Sequence, residues 1–229
     1  MNTNTPEAVS ERKKWLIASL LSFLYIVPAL FYIKYAHTAS TGLMAISFIA
    51  ASTASLLFAT ALSLGSISHF TGWPNMRLGY QKQIGILAFW YSLFYCITLL
   101  SLYPEVYGYG FSSNFFSADI ILGGIAMIIF AAMVLVNSKF IAPHIPRETI
   151  GFVLGLGYIG YALLVIRAIL LEFPLWSLWF ETFSGLPPGR LMLSAIALVV
   201  LILRVVVAIH KHRRSALVTQ QSTAPTLKG

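Results

Sequence analysis

The residues whose types and spacing could do chemistry are a glycine pattern, two arginines inside apolar runs, one cysteine and five histidines. Gly155-Leu156-Gly157-Tyr158-Ile159-Gly160 matches G-x-G-x-x-G. A dinucleotide site built on that pattern needs a strand before it and a helix opening after it, so that the pyrophosphate meets a helix N-terminus. Here apolar residues flank it on both sides. The reading is packing: Gly151, Gly155, Gly157 and Gly160 let a neighbouring helix approach closely, and Ser47, Ala51, Ser55 and Ala59 offer a similar small face. Ionisable groups in a span are functional candidates by default, because a charge in hydrocarbon is costly. Arg204 lies about a turn from the end of its run and can snorkel. Arg167 is placed to pair with Glu172 or Glu181. No carboxylate falls deep in an apolar run, which disfavours a transporter that moves protons through a buried acid.

Cys96 is the single cysteine, which excludes an intramolecular disulfide and an all-cysteine metal cage. It reads as a small apolar filler. His37, His69, His144, His210 and His212 all fall between apolar runs or at their ends. His210-Lys211-His212 with Arg213-Arg214 reads as a basic anchor facing anionic lipid. His69 and His144 share one side and could meet, without an acidic partner.

The elements that must position these residues follow from composition. Of 229 residues, 58% are hydrophobic and 10% charged, against about 25% charged in a soluble domain. A soluble globular enzyme and a disordered chain are both excluded by that balance. Apolar segments run over about 15–34, 42–66, 84–103, 118–137, 150–172 and 191–209, each near the length needed to cross a bilayer core. The expected fold is all-α, a six-transmembrane-helix bundle over 15–209. A segment 1–14 precedes it, and a tail 210–229, basic and then disordered, follows. The first segment follows Arg12-Lys13-Lys14 but is too long for a signal-peptide core, so it reads as a retained helix. Six spans put eleven Lys and Arg on the side of the termini, with Lys34 and Arg190 alone on the other and Arg167 and Arg204 within spans. By the positive-inside rule both termini are cytoplasmic, in a membrane of the bacterial inner or plasma type. The +8 charge is therefore a topology signal, and nucleic acid is not an expected partner. The outer connections around Pro104–Phe116 and Phe173–Gly189 are rich in Trp, Tyr and Phe, as loops lying at headgroup level are.

Gln81-Lys82-Gln83-Ile84-Gly85-Ile86-Leu87-Ala88-Phe89-Trp90-Tyr91 resembles the basic, LG-containing, Ala-Phe-aromatic-Tyr entry into the third helix of the ferric-reductase-like transmembrane family. Within that family it is most like the haem-binding membrane subunit of the periplasmic methionine-sulfoxide reductase system. Thr41-Gly42 opening the second segment and Asn137-Ser138 closing the fourth agree with it, and the likeness covers roughly 42–172. The resemblance implies b-type haem ligated by histidines on the third and fifth helices. This chain has Tyr95 where the third-helix histidine would stand, and Tyr158, Tyr161 and Arg167 but no histidine in the fifth segment. No cofactor is expected on that basis. Tyr95, Cys96, Met127 and Met133 are the side chains that could contact or ligate a haem atypically.

Three readings of function follow. The first is a haem-less scaffold or partner-binding subunit of a membrane redox system, with the lipid bilayer around it. Its partner would be an outer-side redox protein or a cytoplasmic electron donor. The second is a transmembrane electron-transfer cytochrome with atypical haem ligands. The third is a small transporter or channel in which Arg167 and the outer aromatic loops form a gate or anion site. The missing histidine favours the first.

Overall fold

In a bilayer core no water is present to bond backbone N–H and C=O groups, so a spanning segment must satisfy them internally. A computed structural model describes residues 6–36, 42–71, 74–107, 117–138 and 140–223, without the side chains of 6–10, 36, 69, 74–79, 102–107, 147, 211 and 214–223. Six long helices meet that requirement: α1 (Pro6–Ala36), α2 (Gly42–Thr71), α3 (Pro74–Tyr107), α4 (Ala118–Val136), α5 (Arg147–Thr182) and α6 (Gly189–Thr223). A 3-10 turn, Ala142–His144, links α4 to α5. All six are long and apolar enough to cross a membrane, and their apolar stretches cover Glu11–Tyr35, Gly42–Ser68, Tyr80–Ser101, Ala118–Val136, Glu148–Thr182 and Gly189–His210. The chain is an all-α, multi-pass integral membrane protein. Large apolar side chains such as Phe23, Ile128, Phe152 and Val199 are exposed on the outside of the bundle, where lipid is their solvent.

Helix α2 is the centre: 44% of its apolar window is buried, against 17–22% for the other five. Small residues explain this, because Ser47, Ala50, Ala54, Ala59 and Ala61 are buried and let neighbouring backbones close in. Helix α4 leans on α5 through two of the four glycines the sequence suggests. A Cβ at Gly160 would stand 3.1 Å from the Phe130 ring, and one at Gly157 would meet Met133, whereas Gly151 and Gly155 have nothing within 4 Å. Tyrosines fasten the pairs. The Tyr158 hydroxyl donates to the Leu62 carbonyl at 2.9 Å and that of Tyr161 to the Ser55 carbonyl at 3.0 Å. Tyr32 donates to the Pro187 carbonyl at 3.0 Å, tying α1 to the α5–α6 link.

Two helices run past the ends that hydropathy suggests. The stretch from Phe173, read as loop, continues α5 through Pro174 to Thr182. Proline removes one hydrogen bond but does not forbid the residues after it from helix. Trp176 is buried there and donates to the Glu172 carboxylate at 3.3 Å. The helix stops at Phe183, whose φ of 46° is left-handed, and Gly185 at φ 75° completes the turn. Helix α6 carries on to Thr223, beyond the apolar stretch that ends at His210. The aromatic connection from Pro104 is helical as far as Tyr107; its remainder, 108–116, lies outside the described residues.

Candidate functional site

A cavity of about 410 Å³ opens among α2, α3, α4, α5 and α6, within the range of small-ligand sites. It lies toward the end opposite the termini. Phe48 of α2 and Tyr32 of α1 pack there against Gly189 at the start of α6, while Arg204 over Tyr158 and Phe70 beside His210 mark the other end. Its floor is aromatic, formed by Phe58 and Phe130 stacked with centroids 4.0 Å apart.

Three residues singled out by the sequence meet here. Tyr95 and Cys96 on α3 and Met127 on α4 all line the cavity, with Tyr161 of α5. Met133 does not, since its thioether fills the space over Gly157. Tyr158 is also elsewhere, bonded to Leu62 and stacked under the Arg204 guanidinium at 4.7 Å. That cation–π contact gives Arg204 a structural partner inside the bundle.

Arg167 pairs differently from the sequence expectation. Its Nε donates to the Asp119 carbonyl at 2.9 Å, and its Nη2 is 3.9 Å from the Asp119 carboxylate. Gly123, one turn along α4 from Asp119, makes room: a Cβ there would sit 3.4 Å from Arg167 Nε. Glu172, the expected partner, instead binds Arg190 at 3.1 Å, and Glu181 accepts from Ser177. The sequence reading took partners that follow Arg167 closely in the chain, whereas the Arg167–Asp119 and Arg190–Glu172 contacts cross between helices. Arg167, Asp119 and Arg190 all line the cavity. Asp119 in turn accepts from Ser117 at 2.7 Å.

The walls can be tested against the haem that the resemblance implies. Among the described residues the lining holds no imidazole; its donors are the Cys96 thiol, the Met127 thioether and the Tyr95 and Tyr161 phenols. Helix α5 contributes Tyr161 and Arg167, and no histidine. The donor set does not fit a haem held by histidines on α3 and α5. His144 caps its own turn through the Phe140 carbonyl at 3.0 Å. The side chain of His69 lies outside the described residues, as does any meeting of the two. No group of three or more His, Cys, Asp or Glu able to hold a metal occurs among the described residues.

Sequence reasoning missed Ser92, Ser194 and Asp119 as wall residues. A serine in a span looks the same in sequence whether it faces a cavity or a neighbour, and the only available signal for Asp119 was Gly123 one turn away. No protein-family model matches the chain, and no curated protein matches it. Fold and site together define a six-span membrane protein with a mostly apolar internal cavity that carries guanidinium groups toward one end.

Proposed function

We propose that the chain is a haem-less scaffold or partner-binding subunit of a membrane redox system, built on a ferric-reductase-like six-helix frame. The observation that carries this reading is the cavity wall. Tyr95 stands where the resemblance puts the family's third-helix ligand, and it lines a cavity whose described residues include no histidine. Both termini face the cytoplasm of a bacterial-type inner or plasma membrane, so the cavity end of the bundle faces outward. The partner is an outer-side redox protein or a cytoplasmic electron donor. The end of α5, with Phe173, Leu175 and Phe180 exposed and Trp179 half-buried, offers apolar surface on the outer side.

A dithionite-reduced minus oxidised spectrum of the purified protein tests it. The expected result is no α-band. A sharp α-band would establish the second reading, a cytochrome with atypical ligands. One observation favours that alternative: Cys96 and Met127 reach the same cavity from different helices. Tyr95→His then probes the frame, because an imidazole restored at that position is expected to capture haem that the unaltered chain does not.

A further inference from the structure

Four charges stand at the end of the cavity opposite the termini, and they cancel. Arg167 has the Asp119 carbonyl at 2.9 Å and its carboxylate at 3.9 Å, and Arg190 has Glu172 at 3.1 Å. Two positives and two negatives leave no net charge there to select an ion. Deeper in, the Tyr161 hydroxyl donates to the Ser55 carbonyl and lies 3.3 Å from the Ser55 hydroxyl. The rest of the wall is mostly apolar, from Leu93, Leu164 and Met127 down to Phe58 and Phe130. A cavity of that kind holds water poorly and takes apolar guests. Left unfilled, it forfeits dispersion contacts along its wall.

The way in is lateral. Away from the ion pairs, the lining residues that are exposed are Leu100 of α3, at 49%, and Gly124 of α4. Their neighbours Ile97 and Ile128 are exposed as well, on the outside of the bundle where lipid is the solvent. A Cβ at Gly124 would meet nothing within 4 Å. Helix α4 packs closely on α5 and only loosely on α3. The cavity thus opens through a slot between α3 and α4, into hydrocarbon rather than water. Phe130 follows Gly124 by six residues on α4, which puts the floor about 9 Å deeper than the slot.

We infer that this cavity takes up one hydrocarbon chain from the surrounding bilayer, through the slot between Leu100 and Gly124, with the chain end on the Phe58–Phe130 floor. The inference goes beyond the scaffold reading but rests on its haem-less cavity, since a haem would fill the same space. A chain that leaves lipid for an apolar cavity gains no hydrophobic free energy, so wall contacts retain it. The chain has two sources. One is an acyl chain of a phospholipid whose head stays outside the slot, and the other is a free uncharged long-chain alcohol.

The test places the full-length protein in phosphatidylcholine nanodiscs with one of two probes, a phosphatidylcholine or a hexadecanol, each carrying a photoactivatable diazirine at its chain end. Adducts are mapped by peptide mass spectrometry. Phe23, 67% exposed in α1, reports labelling from bulk lipid, whereas Phe58 and Phe130, 3% and 1% exposed, report entry. At least one probe is expected to label the floor at a third or more of the Phe23 yield, and the probe that does so identifies the source. Gly124→Phe puts a ring in the slot and should cut the floor-to-Phe23 ratio at least fivefold. Where that variant does not fold, Leu100→Trp replaces it with the same expectation. A floor labelled by neither probe would overturn the inference, as would floor labelling indifferent to the substitution in the slot. The redox difference spectrum of the same sample separates two failures: an α-band removes the haem-less reading, whereas an unlabelled floor without one removes this inference alone.

Discussion

The Tyr161 hydroxyl donates to the Ser55 carbonyl oxygen at 3.0 Å, with the Ser55 hydroxyl 3.3 Å away, and so ties α5 to the central helix. Tyr161 is only 1% exposed. The Ser55 carbonyl has a second lone pair for its own helical bond, so losing the phenol strands little. Tyr161→Phe is expected to cost about 0.5–1.5 kcal/mol. Tyr161→Ala also removes the ring and should cost about 3 kcal/mol or more. Thermal melts in detergent followed by circular dichroism check the ranking. A Phe variant as unstable as the Ala variant would mean that the hydroxyl, not the ring, holds the pair.

Three glycines on α5 look alike in sequence and differ in the bundle. At Gly155 an added Cβ meets nothing within 4 Å, so Gly155→Ala should be neutral or stabilise by about 0.5–1 kcal/mol through helix propensity. At Gly157 it would lie 2.6 Å from Met133 Sδ and Cε, the far end of a flexible side chain. Gly157→Ala should therefore move Met133 and cost under about 1 kcal/mol. At Gly160 the neighbours are the Phe130 ring at 3.1 Å and Ile129 Cγ2 at 3.3 Å. Phe130 is a rigid ring stacked on Phe58, not the far end of a flexible side chain, so Gly160→Ala should cost about 1–3 kcal/mol. The same melts, run as a series, would refute the packing argument if Gly155→Ala proved the worst.

That series shows where sequence legibility ends. The six spans could be read because a run of apolar residues near bilayer length has few other uses. Helix ends outside the apolar stretches could not. Nothing in hydropathy separates Phe173–Thr182 as helix from the same aromatic-rich residues as loop. Tyr95, Cys96 and Met127 were legible as a group only through the third-helix resemblance, and they do share one cavity. The Arg167–Asp119 contact, between residues 48 apart in sequence, depends on which faces of α4 and α5 meet. Single-residue composition carries no information about that.

Arg204 sits over the Tyr158 ring at 4.7 Å, and the same tyrosine donates to the Leu62 carbonyl. The two functions can be separated. Tyr158→Phe keeps a ring beneath the guanidinium and loses the hydroxyl, for about 0.5–1.5 kcal/mol. Tyr158→Leu loses both and should cost a further ~0.5–2 kcal/mol. Repeating the pair of substitutions in an Arg204→Gln background should shrink the difference between Phe and Leu. An unchanged difference would show that the ring contributes packing alone.

The two ion pairs near the cavity should respond unequally. Arg190 and Glu172 meet at 3.1 Å with Arg190 40% exposed, so Glu172→Gln is expected to change stability by no more than about 1 kcal/mol. Arg167 and Asp119 are each 13% exposed. There the direction of truncation matters. Asp119→Asn leaves in place the carbonyl that accepts from Arg167 Nε, because that acceptor belongs to the backbone. Arg167→Leu keeps an apolar body but leaves the Asp119 carboxylate in a poorly hydrated place without its cation. Removing one partner of a buried pair costs about 3–5 kcal/mol in soluble proteins. Arg167→Leu should approach that range, and Asp119→Asn should fall well below it. In the Arg167→Leu background, adding Asp119→Asn should recover part of the loss, since the stranded charge is then gone. Melts of the two single variants and the double variant complete the cycle; no recovery in the double variant would mean that Arg167 acts through its own packing rather than by compensating Asp119.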